Sequence, residues 1–190
     1  IVFEGPDGVG KSTHAQLLAN YLGEQAILTK EPGGTEQSDA LREVLLTQAS
    51  LTPTAQTTLM AISRRLTQTD IVIPAMSTGL TVVRDRSFLS SMAYQGSGGE
   101  LGSNYVLLKN LGPWLVIPDL VMLFEPPALP LKEADETTFE QEGDDFKRRV
   151  REGFTNLPAT IASLAEVEPF SDFRDSFGLG FADITFVNVE

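Results

Sequence analysis

The sequence predicts an α/β fold in which a five-stranded parallel sheet carries helices on both faces. Short apolar runs alternate along the chain with longer segments of helical spacing, as expected when crossover helices join parallel strands. A glycine-rich stretch, residues 5–12, connects the first predicted strand to the first predicted helix. With 190 residues, 42% of them hydrophobic, the chain is long enough to bury a core against such a sheet.

The predicted strands are short apolar runs bounded by turn residues. They are IVFE (1–4), AILTK (26–30), GLTVVRD (79–85), DLVMLFE (119–125) and DITFVNV (183–189). Pro126 and Pro127 end the fourth run, because proline cannot donate to a sheet ladder.

The predicted helices place apolar residues three or four positions apart. They cover residues 11–22, 39–46, 53–78, 88–95, 104–111 and 144–166. Gly23 is a natural stop for the first helix, whereas Pro74 and Pro158 predict a kink or break within the third and the last. The stretch SGGELGS (97–103) is predicted to be a loop.

Composition excludes several function classes. There is no cysteine, which excludes a disulfide framework and a thiolate zinc site, and no run reaches the roughly 18 apolar residues that span a bilayer. The formal net charge of −12 disfavours nonspecific binding to nucleic acids or anionic membranes. We therefore expect a cytoplasmic protein without nucleic-acid or membrane partners, whose ligands are small molecules.

The first strand leads into a complete phosphate-loop pattern, G-x-x-x-x-G-K-[ST], formed by Gly5, Gly10, Lys11 and Ser12. Glycines let successive amides point at an anion, and the following helix adds its N-terminus. Lys11 is expected to bridge the β- and γ-phosphates of ATP, and the Ser12 hydroxyl to bind Mg²⁺. The predicted cofactor-binding positions are Gly5, Gly8, Gly10, Lys11, Ser12 and Thr13.

Two more polar clusters, TKEPGGT (29–35) and VVRDRS (82–87), follow predicted strands. Ligands of open α/β sheets bind at the carboxyl ends of the strands. Three strand ends should therefore bring one group of charged side chains into a single crevice: Asp7, Lys11, Lys30, Glu31, Asp85 and Arg86. The guanine-reading pattern NKxD is absent, and the DxxG at 175–178 is too late for a switch segment, so a GTPase is a distant alternative.

Together these motifs resemble the thymidylate kinase family, P-loop nucleoside-monophosphate kinases that convert dTMP to dTDP with ATP. FEGPDGVGKST (3–13) resembles the family's phosphate loop, TKEPGGT its REPGGT, and DRSFLSSMAYQG (85–96) its DR…S..AYQG. Arg64 and IPAM (73–76) fall where the family has an arginine and a PAL ending. The resemblance covers most of residues 1–155.

The resemblance implies a P-loop kinase fold, with residues 1–190 as a single domain and a short lid at about residues 128–145. The acidic stretch 132–145 falls in this lid region and is read either as a solvated loop or as a mobile cover. The resemblance also implies a homodimer.

It further implies roles for individual residues. The catalytic set would be Lys11, Asp7, Asp85 and Arg86. Asp7 would lie between donor and acceptor, Asp85 would support Mg²⁺ together with Ser12, and Arg86 would grip the acceptor phosphate.

The remaining implied residues form the acceptor site. Arg42 or Lys30 would assist Arg86, while Arg64 and Ser91 would meet the polar edge of the base. Tyr94 would lie under the deoxyribose and exclude a 2′-hydroxyl. The full substrate-binding set is Asp7, Lys30, Glu31, Pro32, Arg42, Met60, Arg64, Arg86, Ser91, Tyr94 and Gln95.

The chain departs from the family pattern at three places. Met60 stands where a phenylalanine commonly stacks on thymine, and Ser87 follows the DR motif where Tyr, Phe or His is frequent. Gly8 leaves the phosphate loop without an arginine, and EADETTFEQE (133–142) contains none either. Nearby candidates to replace that arginine are Lys132, Lys147, Arg148, Arg149 and Arg151.

These departures leave alternatives open. One is a kinase for another or a modified deoxynucleoside monophosphate, with relaxed base specificity, because methionine packs on rings of different size. The other is a homologue that binds nucleotides without turnover.

Overall fold

The computed structural model describes residues 1–48, 50–125, 142–167 and 181–189. Five strands in these residues form one parallel sheet in the order β2-β3-β1-β4-β5, which confirms the predicted architecture. The strands are β1 (Val2–Glu4), β2 (Ala26–Lys30), β3 (Thr81–Asp85), β4 (Leu120–Phe124) and β5 (Thr185–Val189).

The helices of the described residues agree with the predicted segments apart from their ends. They are α1 (Lys11–Leu22), α2 (Glu36–Thr47), α3 (Pro53–Thr67), α4 (Ile73–Ser77), α5 (Phe88–Ser91), α6 (Ser103–Asn110), α7 (Asp144–Thr155) and α8 (Leu157–Leu164). The side chain of Thr35 caps α2 by accepting from the Ser38 amide, so this helix begins three residues earlier than predicted. Most of the predicted lid lies outside the described residues, and Asp144 and Asp145 open α7.

The central strand β1 faces two cores, because successive side chains of a strand point to opposite faces. Val2 belongs to the larger cluster, which includes residues of α5, α6, α7 and α8. Phe3 belongs to a second cluster with Ala15 of α1 and Phe124. Helices thus cover both faces of the sheet, as expected of a parallel sheet.

Two π-helical segments replace parts of the helices predicted from the sequence. The first, Gln68–Val72, joins α3 to α4, and Pro74 lies in the first turn of α4, where its missing N–H is tolerated. The irregularity expected at Pro74 therefore lies just upstream of it. The second, Met92–Gly98, continues α5 into part of the predicted loop. Pro158 likewise opens α8, so the predicted break separates α7 from α8.

The strand register determines where the polar clusters meet. Phe3 and Lys30 both lie opposite Asp85 across the sheet, so three loops leave the same carboxyl edge side by side. In the part of the chain that the structure describes, no helix has the length and apolar character needed to cross a membrane.

Candidate active site

The phosphate loop has backbone geometry that favours glycine. Gly5 has φ 142°, and a Cβ there would lie 2.5 Å from the Phe124 carbonyl oxygen, so this position excludes every side chain. Gly10 has φ 89° and immediately precedes α1. The loop therefore passes close to β4 and then turns sharply into the N-terminus of α1, as anion binding requires.

An open pocket of about 1470 Å³, here called the loop pocket, lies along this loop. It is lined by Asp7, Gly8, Gly10, Lys11, Ser12, Thr13, Ala15, Gln16, Leu28, Thr29, Lys30, Glu31, Gly34, Arg42, Ile71, Asp85 and Arg86. The predicted cofactor-binding residues all line it except Gly5, which starts the loop.

Lys11 is nearly buried in the loop pocket, and its ammonium donates to the Pro6 carbonyl oxygen. Burial lowers the pKa of Lys11 to about 8, and the positive charge of Arg86 acts in the same direction. The carboxylates of Asp7, Asp85 and Glu4 oppose this shift. A bound polyphosphate would favour the charged form of this lysine, because it places negative charge beside it.

Ser12 and Asp85 meet at the floor of the loop pocket. The Ser12 hydroxyl donates to a carboxylate oxygen of Asp85 at 2.5 Å, although the two residues are 73 positions apart. Among the described residues, no group of three or more His, Cys, Asp or Glu side chains could hold a metal. A hydroxyl and one carboxylate fit Mg²⁺, which takes few protein ligands and completes its shell with water and substrate phosphates.

A second pocket, of about 580 Å³ and here called the helix pocket, opens beside the first. It is lined by Asp7, Glu31, Pro32, Arg42, Leu46, Met60, Arg64, Arg86, Ser87, Ser90, Ser91, Tyr94 and Gln95. Every predicted substrate-binding residue lines it except Lys30. Lys30 lines the loop pocket instead, where its half-exposed ammonium lies 3.9 Å from Asp39.

Arg86 lies where the two pockets meet, and with Asp7, Glu31 and Arg42 it lines both. Its Nη1 donates to the Gly5 carbonyl at 3.1 Å and to the Ser90 hydroxyl at 2.8 Å. Its Nη2 donates to Asp7 and, at 3.4 Å, to the Tyr94 hydroxyl. Its φ of 74° is rare for a residue with a side chain and marks a constrained position.

Asp7 and Tyr94 complete this junction. The Tyr94 hydroxyl donates to the second carboxylate oxygen of Asp7 at 2.5 Å. Burial alone would raise the pKa of Asp7, but Arg86, Tyr94 and Lys11 together hold it below its usual range. Asp7 is therefore a carboxylate near neutral pH, while burial raises the pKa of Tyr94 and keeps the phenol protonated.

A buried ion network supports the other end of the helix pocket. Arg64 is only 2% exposed, and its Nε donates to Glu31 at 2.5 Å. Its Nη2 donates at 3.1 Å to both the Ser87 carbonyl and the Ser91 hydroxyl. Arg84 pairs with the other oxygen of Glu31, and the two arginines hold the Glu31 pKa below its usual range despite burial. Two cations against one anion leave positive charge beside the pocket, suited to a ligand with acceptor atoms.

Comparison with known proteins shows what this chain is similar to. The thymidylate kinase family model matches residues 3–167. The chain is 36% identical over 176 residues to the thymidylate kinase of Chlorobium luteolum, covering 83% of this chain and 82% of that protein. It is 35% identical over 173 residues to the thymidylate kinase of Bifidobacterium longum, covering 84% and 83% of the two chains.

The chain belongs to the thymidylate kinase family. A solved structure agrees at the level of the fold: the crystal structure of thymidylate kinase from Ehrlichia chaffeensis superposes with a TM-score of 0.68. That comparison covers 98% of this chain and 88% of the other at 24% identity. The resemblance read from the sequence motifs is therefore confirmed.

Two features of this thymidylate kinase family member bear on its departures from the family pattern. Met60 and Leu46 are apolar residues that line the helix pocket. A third cavity, the α7 pocket, is lined by Pro6, Asp7, Tyr94, Phe146, Lys147, Val150 and Arg151. Two candidates for the absent loop arginine, Lys147 and Arg151, thus lie beside the site.

The other candidates lie elsewhere. Arg148 is exposed and bonds Asp145 and Glu152 within α7, whereas Arg149 donates to the Gly98 carbonyl and lies 3.6 Å from Glu100. Lys132 is outside the described residues.

Sequence reasoning missed four polar residues: Ser90, which lines the helix pocket, and Glu4, Arg84 and Asn110, which are buried and line neither pocket. Arg64 donates to the Asn110 side chain, and Glu4 accepts from Ser87 and Ser90. A charged residue inside an apolar strand was an available signal for Glu4 and Arg84, because such a residue is buried only with partners. Asn110 carries no comparable signal, since its contact with Arg64 spans 46 positions.

Proposed function

We propose that the protein transfers the γ-phosphoryl group of ATP to dTMP, which yields dTDP and ADP. The observation that carries this proposal is the shared wall of the two pockets, where Arg86 and Asp7 line both. A phosphate donor in the loop pocket and an acceptor in the helix pocket would meet at this wall. Direct in-line transfer needs such juxtaposition and a cation at the transferring group, without a covalent enzyme intermediate.

The helix pocket suits a nucleoside monophosphate. It is apolar at Met60 and Leu46 and carries a few polar side chains, as small-molecule sites commonly do. Arg64 and Ser91 provide polar atoms at one end, and Gln95 Oε1 is a buried acceptor that has no hydrogen-bond partner among the residues that the structure describes. A base N–H group would satisfy that acceptor. Arg86 and Arg42, near the loop pocket, would bind the monophosphate, and Tyr94 would exclude a 2′-hydroxyl.

The protein residues suited to hold Mg²⁺ are Ser12 and Asp85, whose oxygens already lie 2.5 Å apart. When bound, the ion would neutralise charge that develops on the phosphate oxygens. Asp85 would orient the Ser12 hydroxyl, and Lys11 would add its positive charge from the buried floor of the loop pocket.

Lys147 and Arg151 are proposed to supply the positive charge that other family members carry in the loop or lid. Both are on α7, one turn apart, and both line the α7 pocket with Asp7 and Tyr94. Charge-assisted contacts to phosphate are strong when a guanidinium makes them, so Arg151 would contribute more than Lys147.

We also propose a homodimer. The helical segment 53–77 has exposed residues three or four positions apart, and three of them are large and apolar: Ile62, Ile73 and Met76. We propose that these three side chains form part of one apolar surface patch, since contiguous exposed apolar patches mark interfaces. Light scattering on the purified protein should give twice the mass of the 20.6 kDa chain, and a monomer mass at micromolar concentration would contradict this proposal.

Coupled ADP release, measured with ATP and a panel of dTMP, dUMP, dGMP and dAMP, tests the proposed reaction. We expect the highest kcat/KM with dTMP. A preference for a purine would keep the chemistry but contradict the proposed acceptor. Tight binding of ATP and dTMP without ADP release would instead indicate a nucleotide-binding homologue without turnover.

A further inference from the structure

We infer that Glu4, which lies beneath the site and does not line either pocket, is a positioning residue that fixes the guanidinium of Arg86 through Ser90. This inference rests on the proposed transfer to a monophosphate bound by Arg86. Glu4 is the last residue of β1 and is 0% exposed. A fully buried carboxyl group is rare unless it has partners, and Glu4 has them on both oxygens.

The two carboxyl oxygens of Glu4 accept hydrogen bonds from different side chains. Oε1 accepts from the Ser87 hydroxyl at 2.7 Å, and that hydroxyl also accepts from the Leu89 amide at the start of α5. Oε2 accepts from the Ser90 hydroxyl at 2.5 Å. The Ser90 oxygen in turn accepts from Arg86 Nη1 at 2.8 Å. Oε1 thus bonds Ser87, which caps α5, and Oε2 is connected to Arg86 through Ser90.

The two terminal nitrogens of the Arg86 guanidinium have different partners. Nη1 donates to the Gly5 carbonyl and to the hydroxyl of Ser90, which itself lines the helix pocket. Nη2 is directed toward Asp7 and Tyr94, which line the pockets. A phosphate entering the helix pocket could exchange with the Nη2 partners while the Nη1 partners stay in place. The Nη1 contacts therefore determine where the guanidinium plane lies when the acceptor binds.

The Ser90 hydroxyl gives the connection between Glu4 and Arg86 its direction. Burial raises the pKa of Glu4, and its hydrogen bond with Ser90, the charge of Arg86, the hydrogen bond with Ser87 and the charge of Lys11 oppose that rise. Ser90 donates to the Glu4 carboxyl group and accepts from Arg86, because a hydroxyl can do both at once.

A double-mutant cycle tests the relay, because it measures whether two residues act through one another. Steady-state kinetics with ATP and dTMP would be recorded for wild type, Ser90→Ala, Glu4→Gln, Arg86→Ala and the two double variants that contain Arg86→Ala. Loss of one well-placed hydrogen bond should raise the KM for dTMP about tenfold in Ser90→Ala and Glu4→Gln. The KM for ATP should change less than about twofold.

In the Arg86→Ala background, neither second substitution should lower kcat/KM for dTMP by more than about twofold. Ser87→Ala is the matched control, because it removes the other hydroxyl from the same carboxylate. It should lower the melting temperature through the lost helix cap and raise the KM for dTMP less than Ser90→Ala does.

The inference would be overturned if the factors by which the single substitutions lower kcat/KM for dTMP multiplied fully in the double variants. It would also be overturned if Ser87→Ala and Ser90→Ala raised the KM for dTMP equally. If Glu4→Gln fails to fold, Glu4→Asp takes its place in the cycle, because the shorter side chain keeps the carboxyl group and withdraws it from the Ser90 hydroxyl. Failure of the proposed function is distinguishable, because wild type would then not use dTMP. The cycle would in that case be measured with the monophosphate that wild type phosphorylates.

Discussion

The loop pocket and the helix pocket meet at Asp7 and Arg86 but are built in different ways. Much of the loop pocket comes from one continuous segment, in which backbone amides, three φ-positive glycines and the N-terminus of α1 define the shape. The helix pocket comes from side chains of α2, α3, α5 and the π-helical segment Met92–Gly98, held by buried ion pairs. The shape of the loop pocket therefore depends largely on local backbone geometry, whereas the shape of the helix pocket depends on long-range contacts.

The largest effect should come from removing the anion of the buried network. Glu31→Gln leaves Arg64 and Arg84 without their shared carboxylate, and breaking such a buried pair costs about 3–5 kcal/mol. The measurement is the free energy of unfolding from urea titration. A change under 1 kcal/mol, roughly that of an exposed ion pair, would mean that the helix pocket does not depend on its buried ion pairs and so does not differ from the loop pocket in that way.

The effect of Glu31→Gln should also depend on pH. The folded-state pKa of Glu31 is lowered from 4.5, so its contribution to stability is present above pH 4.5 and is lost as pH falls through the lower folded value. The stability difference between wild type and variant should therefore shrink as pH falls below 4.5.

Lys11→Ala should affect turnover and leave the fold intact, in contrast to Glu31→Gln. Loss of one charged contact in a water-excluded site should lower kcat by about 10²–10³-fold. Lys109→Ala is the matched control, because this exposed lysine lies on α6 away from both pockets. A well-folded Lys11→Ala protein with near wild-type kcat would refute the assignment of the loop pocket.

Arg86→Ala tests whether the junction residue serves the acceptor more than the donor. Charged hydrogen bonds contribute about 1.5–3 kcal/mol, so dTMP affinity should fall about 10- to 100-fold. Arg86→Lys should restore little of it, since an ammonium lacks the planar fork. Separate calorimetric titrations with ATP and dTMP measure this. If ATP affinity collapses while dTMP affinity is unchanged, Arg86 belongs to the donor side.

Arg151→Ala should have a smaller effect, because this side chain borders the junction from α7. We expect about a tenfold loss of kcat, as for one charged contact to phosphate. Arg148→Ala is the matched control on the same helix, where the arginine is exposed and bonded to Asp145 and Glu152. Equal losses of kcat in the two variants would show that Arg151 adds only to the overall positive charge of α7 and makes no specific contact.

Met60→Phe is expected to produce the smallest effect and to act on base preference alone. An added ring contact is worth about 0.5–1.5 kcal/mol, so the ratio of kcat/KM for dTMP over dGMP should rise about two- to tenfold. Wild type should accept dTMP with a less strict preference than Met60→Phe. If competition assays show strict dTMP specificity in wild type and no change in the variant, Met60 does not touch the base.

The alternation of strands and helices and the phosphate loop could both be predicted from the sequence. Both are local: a φ of 142° at Gly5 and the turn into α1 are encoded within a few residues of the pattern. The strand-end rule also placed Asp85 and Lys30 on the correct edge, because parallel strands end together. Family motifs supplied the helix-pocket residues, which no periodicity would have indicated.

The pairing of those side chains could not be predicted and is seen only in the folded protein. Lys30 faces Asp39 and the loop pocket, Glu31 is shared by two arginines, and Ser90 connects Glu4 to Arg86. Each pairing joins residues from different elements, some of them more than 80 positions apart, as Glu4 and Ser90 are. Such contacts depend on the distance and burial of each group after folding, which local sequence does not encode. The sequence could therefore name the acceptor residues, and the fold selected which of them touch the pocket and which hold the others in place.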